Sequence, residues 1–244
     1  MATNSILPEG KKPAVVYLIP CALYPGVNDV LPAYVLTAVQ ACTAFFVENE
    51  RTARRFLKAI WPQMIIDNYT WINISKPGPD EMAAFTRQVK NGGIVGILSE
   101  AGCPGVADPG QLLVAEAHRL QATVTPLVGP NSLLLALMAS GLNGQLFRFN
   151  GYLPIEAAQR RKTIRLLEAE TQKEGTTQLF IETPYRNDAL LKDLLETCSA
   201  HTLLCVAADL TAPAEWIKTM PIKAWKQQAV SLHKRPAIFL LGRS

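Results

Sequence analysis

The stretch Ile94-Val95-Gly96-Ile97-Leu98-Ser99-Glu100-Ala101-Gly102-Cys103-Pro104-Gly105-Val106-Ala107-Asp108-Pro109-Gly110 decides the fold. A short apolar run of the kind that forms a buried strand passes straight into a turn rich in glycine and proline. A second element of the same design follows, where Val124-Thr125-Pro126-Leu127-Val128 ends in Gly129-Pro130-Asn131-Ser132 ahead of an apolar helix. Two strands that end in rigid, open backbone make a ligand floor, because open α/β sheets bind ligands beyond the carboxyl ends of their strands.

Outward from these loops the first half of the chain alternates. Residues 14–20 read as a strand, 32–41 as a helix, 43–47 as a strand and 50–60 as a helix, a βαβα rhythm that points to a mainly parallel, covered sheet. In residues 80–90, Met82, Ala83, Phe85 and Val89 fall at helical spacing, and Asn91-Gly92-Gly93 stops that helix before the strand at 94–98. A helix at 111–120 and a strand at 124–128 complete a first domain, residues 1–128. Asn131 is placed to cap a helix at 132–139. The second domain, residues 129–244, carries a long basic helix at 157–170, a helix at 187–197, and strands at 178–182, 202–207 and 237–241. Gly175-Thr176-Thr177 and Lys234-Arg235-Pro236 read as turns. The fold class expected is therefore two α/β domains, with a mainly parallel sheet in the first and a mixed sheet in the second.

A chain of 244 residues is comfortable for two domains. Its 49% hydrophobic and 18% charged residues are those of a globular protein rather than a disordered one. The net charge of +4 tolerates a nucleic-acid partner without demanding one, since the longest basic runs are Lys11-Lys12 and Arg160-Arg161-Lys162. Cys21, Cys42, Cys103, Cys198 and Cys205 form no C-x-x-C pair and read as reduced core thiols of a cytoplasmic protein. The apolar run after Lys12 is broken at Pro20 and Pro25 and reads as a core strand, not a signal peptide. No segment approaches the roughly 18 apolar residues of a membrane span.

Several chemistries are disfavoured. No G-x-G-x-x-G follows the first strand, so the dinucleotide fingerprint is missing. His118, His201 and His233 lack ligand spacing with any cysteine or carboxylate, so no metal site is expected. Ser99, Ser132 and Ser140 have no histidine partner nearby in sequence to recommend a hydrolase triad.

The motifs Ser-Glu-Ala-Gly-Cys-Pro (99–104), Asp-Pro-Gly (108–110) and Pro-Leu-Val-Gly-Pro-Asn-Ser (126–132) are similar to the tandem loops of the tetrapyrrole methylase superfamily, whose members use S-adenosylmethionine. The closest resemblance is to the branch that 2′-O-methylates a cytidine of small-subunit ribosomal RNA. That branch usually carries Ser-Asp-Ala-Gly-x-Pro, so Glu100 stands for its Asp. Glu48-Asn49-Glu50-Arg51-Thr52-Ala53-Arg54-Arg55 resembles its acidic-then-Arg-Thr segment, Asn150-Gly151-Tyr152-Leu153-Pro154 its Gly-(Phe/Tyr)-Leu-Pro turn, and Phe180-Ile181-Glu182-Thr183-Pro184-Tyr185-Arg186 its Glu-Ser-Pro-His-Arg segment.

The resemblance implies a cleft between the two domains in which S-adenosylmethionine lies against Ser99, Glu100, Ala101, Gly102, Cys103 and Pro104, against Gly129, Pro130, Asn131 and Ser132, and along Phe180, Ile181, Glu182 and Thr183. Gly102, Gly105, Gly110 and Gly129 would let backbone approach the ligand, and helix starts would favour its carboxylate. Glu100, Glu182 and Arg186 are the candidate catalytic residues, with Arg186 facing the acceptor. The family also implies RNA as acceptor and a homodimer. Each piece has a plainer reading: the glycines and prolines are ordinary turns, Glu50, Arg54 and Arg55 a solvated helix face, and Thr183-Pro184 a helix start with Thr183 as its cap.

The sequence departs from the branch in two places. The usual first loop, Thr-Pro-Ile-Gly-Asn-Leu followed by Asp, is replaced by residues 21–32, where Asp29 matches the Asp. Near Ala207-Ala208-Asp209-Leu210-Thr211 the usual Arg-Glu-Leu-Thr has lost its Arg to Ala208 and shortened its Glu to Asp209. No basic extension follows Phe239-Leu240-Leu241 in this sequence to add RNA contacts. These departures keep two alternatives open: a methylase of a small, tetrapyrrole-like molecule, or a non-catalytic module that binds S-adenosylmethionine.

Overall fold

The computed structural model describes residues 13–243; the Lys11-Lys12 pair lies outside them. The chain separates into two compact units, Met1–Pro130 and Asn131–Ser244.

The first unit alternates strand and helix in the order β1 (Val15–Leu18), α1 (Tyr34–Ala41), β2 (Ala44–Val47), α2 (Glu50–Ile60), β3 (Thr70–Asn73), α3 (Pro79–Lys90), β4 (Ile94–Leu98), α4 (Gln111–Arg119) and β5 (Thr123–Pro126). All five strands are parallel, in the order β3-β2-β4-β1-β5. Every residue of β2 is buried, as a sheet covered on both faces requires. Alternate side chains divide between two cores. Phe45 and Val47 pack with Val35 and Val39 of α1 and Leu57 of α2, whereas Ala44 and Phe46 pack with Phe85 of α3 and Leu113 of α4. A Cβ at Gly96 would lie 2.6 Å from Ile19 Cδ1 and 2.9 Å from Phe45 Cδ1, so that strand position has no room for a side chain. Because the sheet is parallel, the chain leaves β1, β2, β4 and β5 at one edge, which brings Cys21, Glu48, Ser99 and Gly129 to the same side of the unit.

The second unit contains α5 (Ser132–Ser140), β6 (Phe147–Tyr152), α6 (Ala157–Glu174), β7 (Thr177–Ile181), α7 (Asn187–Thr197), β8 (Leu203–Ala208), β9 (Trp216–Pro221), α8 (Ile222–Trp225) and β10 (Ala237–Gly242). Its strand order is β6-β7-β10-β8-β9. Only β6 and β7 are parallel, so the sheet is mixed. Ile164 and Leu167 of α6, Leu190, Leu191 and Leu194 of α7, Trp225 and Phe239 form its core. Asn131 caps α5 as expected, its Oδ1 accepting from the N–H groups of Leu133 and Leu134 at 3.1 and 3.2 Å.

Two expectations are corrected. Residues 150–152, read as part of a turn, lie in β6, which parallel pairing with β7 holds despite a register shift between Phe149 and Tyr152. Thr183-Pro184 does not begin a helix: the Arg186 N–H donates to the Thr183 carbonyl at 2.8 Å in a turn, and α7 starts only at Asn187. In the basic helix α6 the first arginine is taken up inside the unit. Arg160 is 6% exposed and is bound to Asp193 of α7, with Nε 2.7 Å from Oδ2 and Nη1 2.7 Å from the Ile155 carbonyl.

Candidate functional site

The loop after β4 is fastened to the segment after β1 by a reciprocal pair of backbone bonds. The Cys21 N–H donates to the Gly102 carbonyl at 2.8 Å, and the Gly102 N–H returns to the Cys21 carbonyl at 3.0 Å. Gly102 makes this possible with φ of +74°, a left-handed conformation that side chains resist. The Cys21 thiol reaches the Ser99 carbonyl at 3.3 Å, and the Ser99 hydroxyl turns back to the Ala101 carbonyl at 3.1 Å. Cys103 extends toward the loop after β5, its Sγ 3.5 Å from the Pro130 carbonyl and 3.8 Å from that of Gly129. The 99–104 loop and residues 129–130 are thus brought together. Gly129 owes its smallness to packing, since a Cβ there would fall 2.1 Å from Pro20 Cβ.

The side chains around this loop are acidic. Asn49 caps α2 by accepting from Arg51 and Thr52 N–H at 3.0 and 3.3 Å, which fixes Thr52 so that its hydroxyl donates to Glu100 Oε1 at 3.0 Å. Glu48 accepts the Glu100 N–H at 2.9 Å. Asp108 completes the group. Its carboxyl is raised to about 6, first by burial and then by the charges of Glu48 and Glu100, with a hydrogen bond from Ser99 opposing them. In the sequence Asp108 stands only as part of a turn motif; the Glu48 charge that crowds it comes from a segment distant in the chain. Burial likewise pushes the Cys42 thiol up to about 12 and the Cys21 thiol above its usual range, so neither is a ready nucleophile. Among the described residues no group of three His, Cys, Asp or Glu is placed to hold a metal ion.

In the second unit Phe180 is fully buried in β7 and Glu182, 5% exposed, follows the strand. Glu182 Oε1 accepts from the Thr183 N–H at 2.6 Å and from Arg186 Nε and Nη2 at 3.0 and 2.5 Å. Glu182 and Arg186 are brought together, but as a pair in which each occupies the other. Arg54 is paired with Glu50 at 2.7 Å and lies 5.1 Å over the Trp71 ring, while Arg161 bonds Asp193 at 3.1 Å. Arg54, Arg160, Arg161 and Arg186 are each matched to a carboxylate; Arg51 forms no ion pair among the described residues. Glu100 belongs to the first unit, and Glu182 and Arg186 to the second.

No family model matches the chain. It is 31% identical over 174 residues to a ribosomal RNA small subunit methyltransferase I of Buchnera aphidicola, covering 70% of this chain and 60% of that protein. To the protein of the same name from Leptospira borgpetersenii it is 32% identical over 184 residues, covering 73% and 68%. The chain spans between 43% and 60% of the three relatives it matches first. Among solved structures, a cobalt precorrin-4 methyltransferase of cobalamin biosynthesis shares the fold, with a TM-score of 0.60 at 13% identity and 98% of each chain covered.

Proposed function

Because the chain belongs to the ribosomal RNA small subunit methyltransferase I family, within the tetrapyrrole methylase superfamily, we propose that it transfers a methyl group from S-adenosylmethionine to a ribose 2′-oxygen of small-subunit ribosomal RNA. The observation that carries the reading is the Cys21–Gly102 backbone pair, which sets a glycine turn at the carboxyl edge of a parallel sheet beside residues 129–130. The residues present fit the donor. The cluster of Glu48, Glu100 and Asp108 suits its sulfonium and ammonium charges, and Gly102 leaves an approach that a side chain would fill: a Cβ there would lie 3.3 Å from Leu23 and 3.6 Å from the Pro130 carbonyl.

In this reading the backbone of residues 99–104 and 129–132, together with residues 180–183, holds S-adenosylmethionine, which supplies an activated methyl group when bound. The chain's own task is to orient the acceptor in line with that methyl and to exclude water. Thr52 and Glu48 fix Glu100 against the donor, the Glu182–Arg186 pair shapes the acceptor side, and Asp108, with its carboxyl near 6, is suited to hold or release a proton near neutral pH. Residues 1–128 and 129–244 act as the two domains of a cytoplasmic homodimer.

The pairing of Arg54, Arg160, Arg161 and Arg186 with carboxylates favours a second reading, in which the acceptor is a small tetrapyrrole-like molecule or the chain binds S-adenosylmethionine without catalysis. Transfer of labelled methyl to total RNA, ribosomal subunits and small-molecule extracts separates the three. Label in the small ribosomal subunit supports the proposal; label only in small molecules, or binding without transfer, replaces it.

A further inference from the structure

The edge of the second sheet that carries residues 182–186 holds another polar group. β10 runs antiparallel to both β7 and β8, so the residues entering β10 stand beside those leaving the other two. Backbone contacts tie them together. The Lys234 N–H donates to the Pro184 carbonyl at 3.0 Å and the Asp209 N–H to the Pro236 carbonyl at 2.9 Å, while the Asn187 side-chain amide donates to the Arg235 carbonyl at 2.6 Å. At this junction the Arg235 guanidinium is held on three sides. Its Nε lies 2.5 Å from Asp209 Oδ2, its Nη2 donates to the Ala214 carbonyl at 3.1 Å, and its Cζ lies 5.9 Å from the centre of the Trp216 ring. Nη1 has no partner among the described residues, and the side chain stays 29% exposed.

The loop that grips Arg235 is strained. Asp209 and Thr211 both adopt left-handed backbone, with φ of 52° and 67°, and a β-branched residue there is an outlier. Glu215 accepts the Thr211 N–H at 2.7 Å, yet Thr211 Oγ1 is buried without a partner. Strain of this kind persists where the surroundings over-determine it, and it collects at functional sites. Ala208 is fully buried and pairs with Ala237 across the ladder. The guanidinium absent from position 208 is therefore present at the same corner, supplied from the turn that enters the neighbouring strand β10.

We infer that Arg235 is the specificity-determining cation of the acceptor side: clamped by Asp209, it offers its Nη1 edge to a backbone phosphate of the RNA and sets the register in which the ribose is presented. Lys234, exposed and without an ion pair among the described residues, adds charge beside it. This inference rests on the proposed function, and its test reads RNA binding apart from catalysis.

Filter binding to small ribosomal subunits across a salt series, steady-state methylation, and calorimetry with S-adenosylmethionine are compared for the wild type, Arg235→Ala, Arg235→Lys and Lys234→Ala. Arg235→Ala is expected to weaken RNA binding and raise the RNA KM by about tenfold, and to lower the slope of log K against log salt by about one, with donor affinity unchanged. Arg235→Lys restores the slope and only part of the affinity, because a single ammonium cannot keep both Asp209 and the Ala214 carbonyl while it meets a phosphate. An unchanged slope in Arg235→Ala, or donor affinity lost in step with RNA affinity, leaves Arg235 a structural residue and overturns the inference. If Arg235→Ala does not fold, the Lys variant and Lys234→Ala decide: a lower slope for Lys234→Ala supports the inference, and an unchanged one defeats it. A wild type that binds and methylates RNA while Arg235→Ala matches it sinks this inference alone; a wild type that binds no RNA sinks the proposed function with it.

Discussion

Cys21 and Gly102 hold each other through two backbone hydrogen bonds of 2.8 and 3.0 Å although they are far apart in sequence. The bridge depends on Gly102 at φ +74°. Gly102→Val places a β-branched side chain in left-handed backbone at a cost of about 1–3 kcal/mol and fills space next to Leu23 and the Pro130 carbonyl. Calorimetry on the folded variant is expected to show no binding of S-adenosylmethionine at millimolar ligand, while the wild type binds. Retained binding would remove this loop from the donor site.

Asp108 links the same loop to pH. Its folded pKa of about 6 lies above the ordinary 3.8, so between about pH 4 and pH 6 the folded protein holds a proton that the unfolded chain has released. The carboxylate therefore opposes folding above pH 6, and that opposition fades as the pH falls through the window. Asp108→Asn is expected to raise the urea midpoint at pH 8 and to give no gain at pH 4. The same gain at both pH values would show that the carboxyl is not held high.

Arg186 and Glu182 are a pair with one buried member, since Glu182 keeps 1% of its side chain exposed and Arg186 34%. Arg186→Ala leaves a buried carboxylate without its cation. Breaking a fully buried pair costs about 3–5 kcal/mol; with Arg186 partly solvated the expected loss is about 1–2 kcal/mol. Arg186→Lys should recover part of it. Denaturant unfolding of both variants checks this, and a destabilisation below about 0.5 kcal/mol, typical of an exposed pair, would contradict it.

Methyl transfer from a sulfonium needs no added electrophile, and among the described residues no metal-binding cluster occurs. Activity on RNA folded beforehand is expected to survive a chelator at a concentration that strips divalent ions from the protein. Loss of transfer on chelation, with recovery on adding one particular divalent cation while the RNA stays folded, would require a different mechanism.

The sequence by itself determined what local pattern controls. The helices at Glu50–Ile60 and Asn187–Thr197 match their expected limits, because caps, apolar spacing and stop signals act within a few residues. The apolar strand Ile94–Leu98 and the turn after it were equally legible. Thr70–Asn73, Phe147–Tyr152 and Trp216–Pro221 were not. Each is an outer strand of its sheet, only partly buried and lacking a clear apolar period, and it becomes a strand because a neighbour supplies the ladder. Charge followed the same division. Residue types showed which cations were available, but partners were chosen across long stretches of chain, as with Arg160 and Asp193 or Arg235 and Asp209. A basic run in sequence and a positive surface therefore differ, since an ion pair is settled by which elements the fold sets side by side, and that contact leaves no periodic trace in either segment.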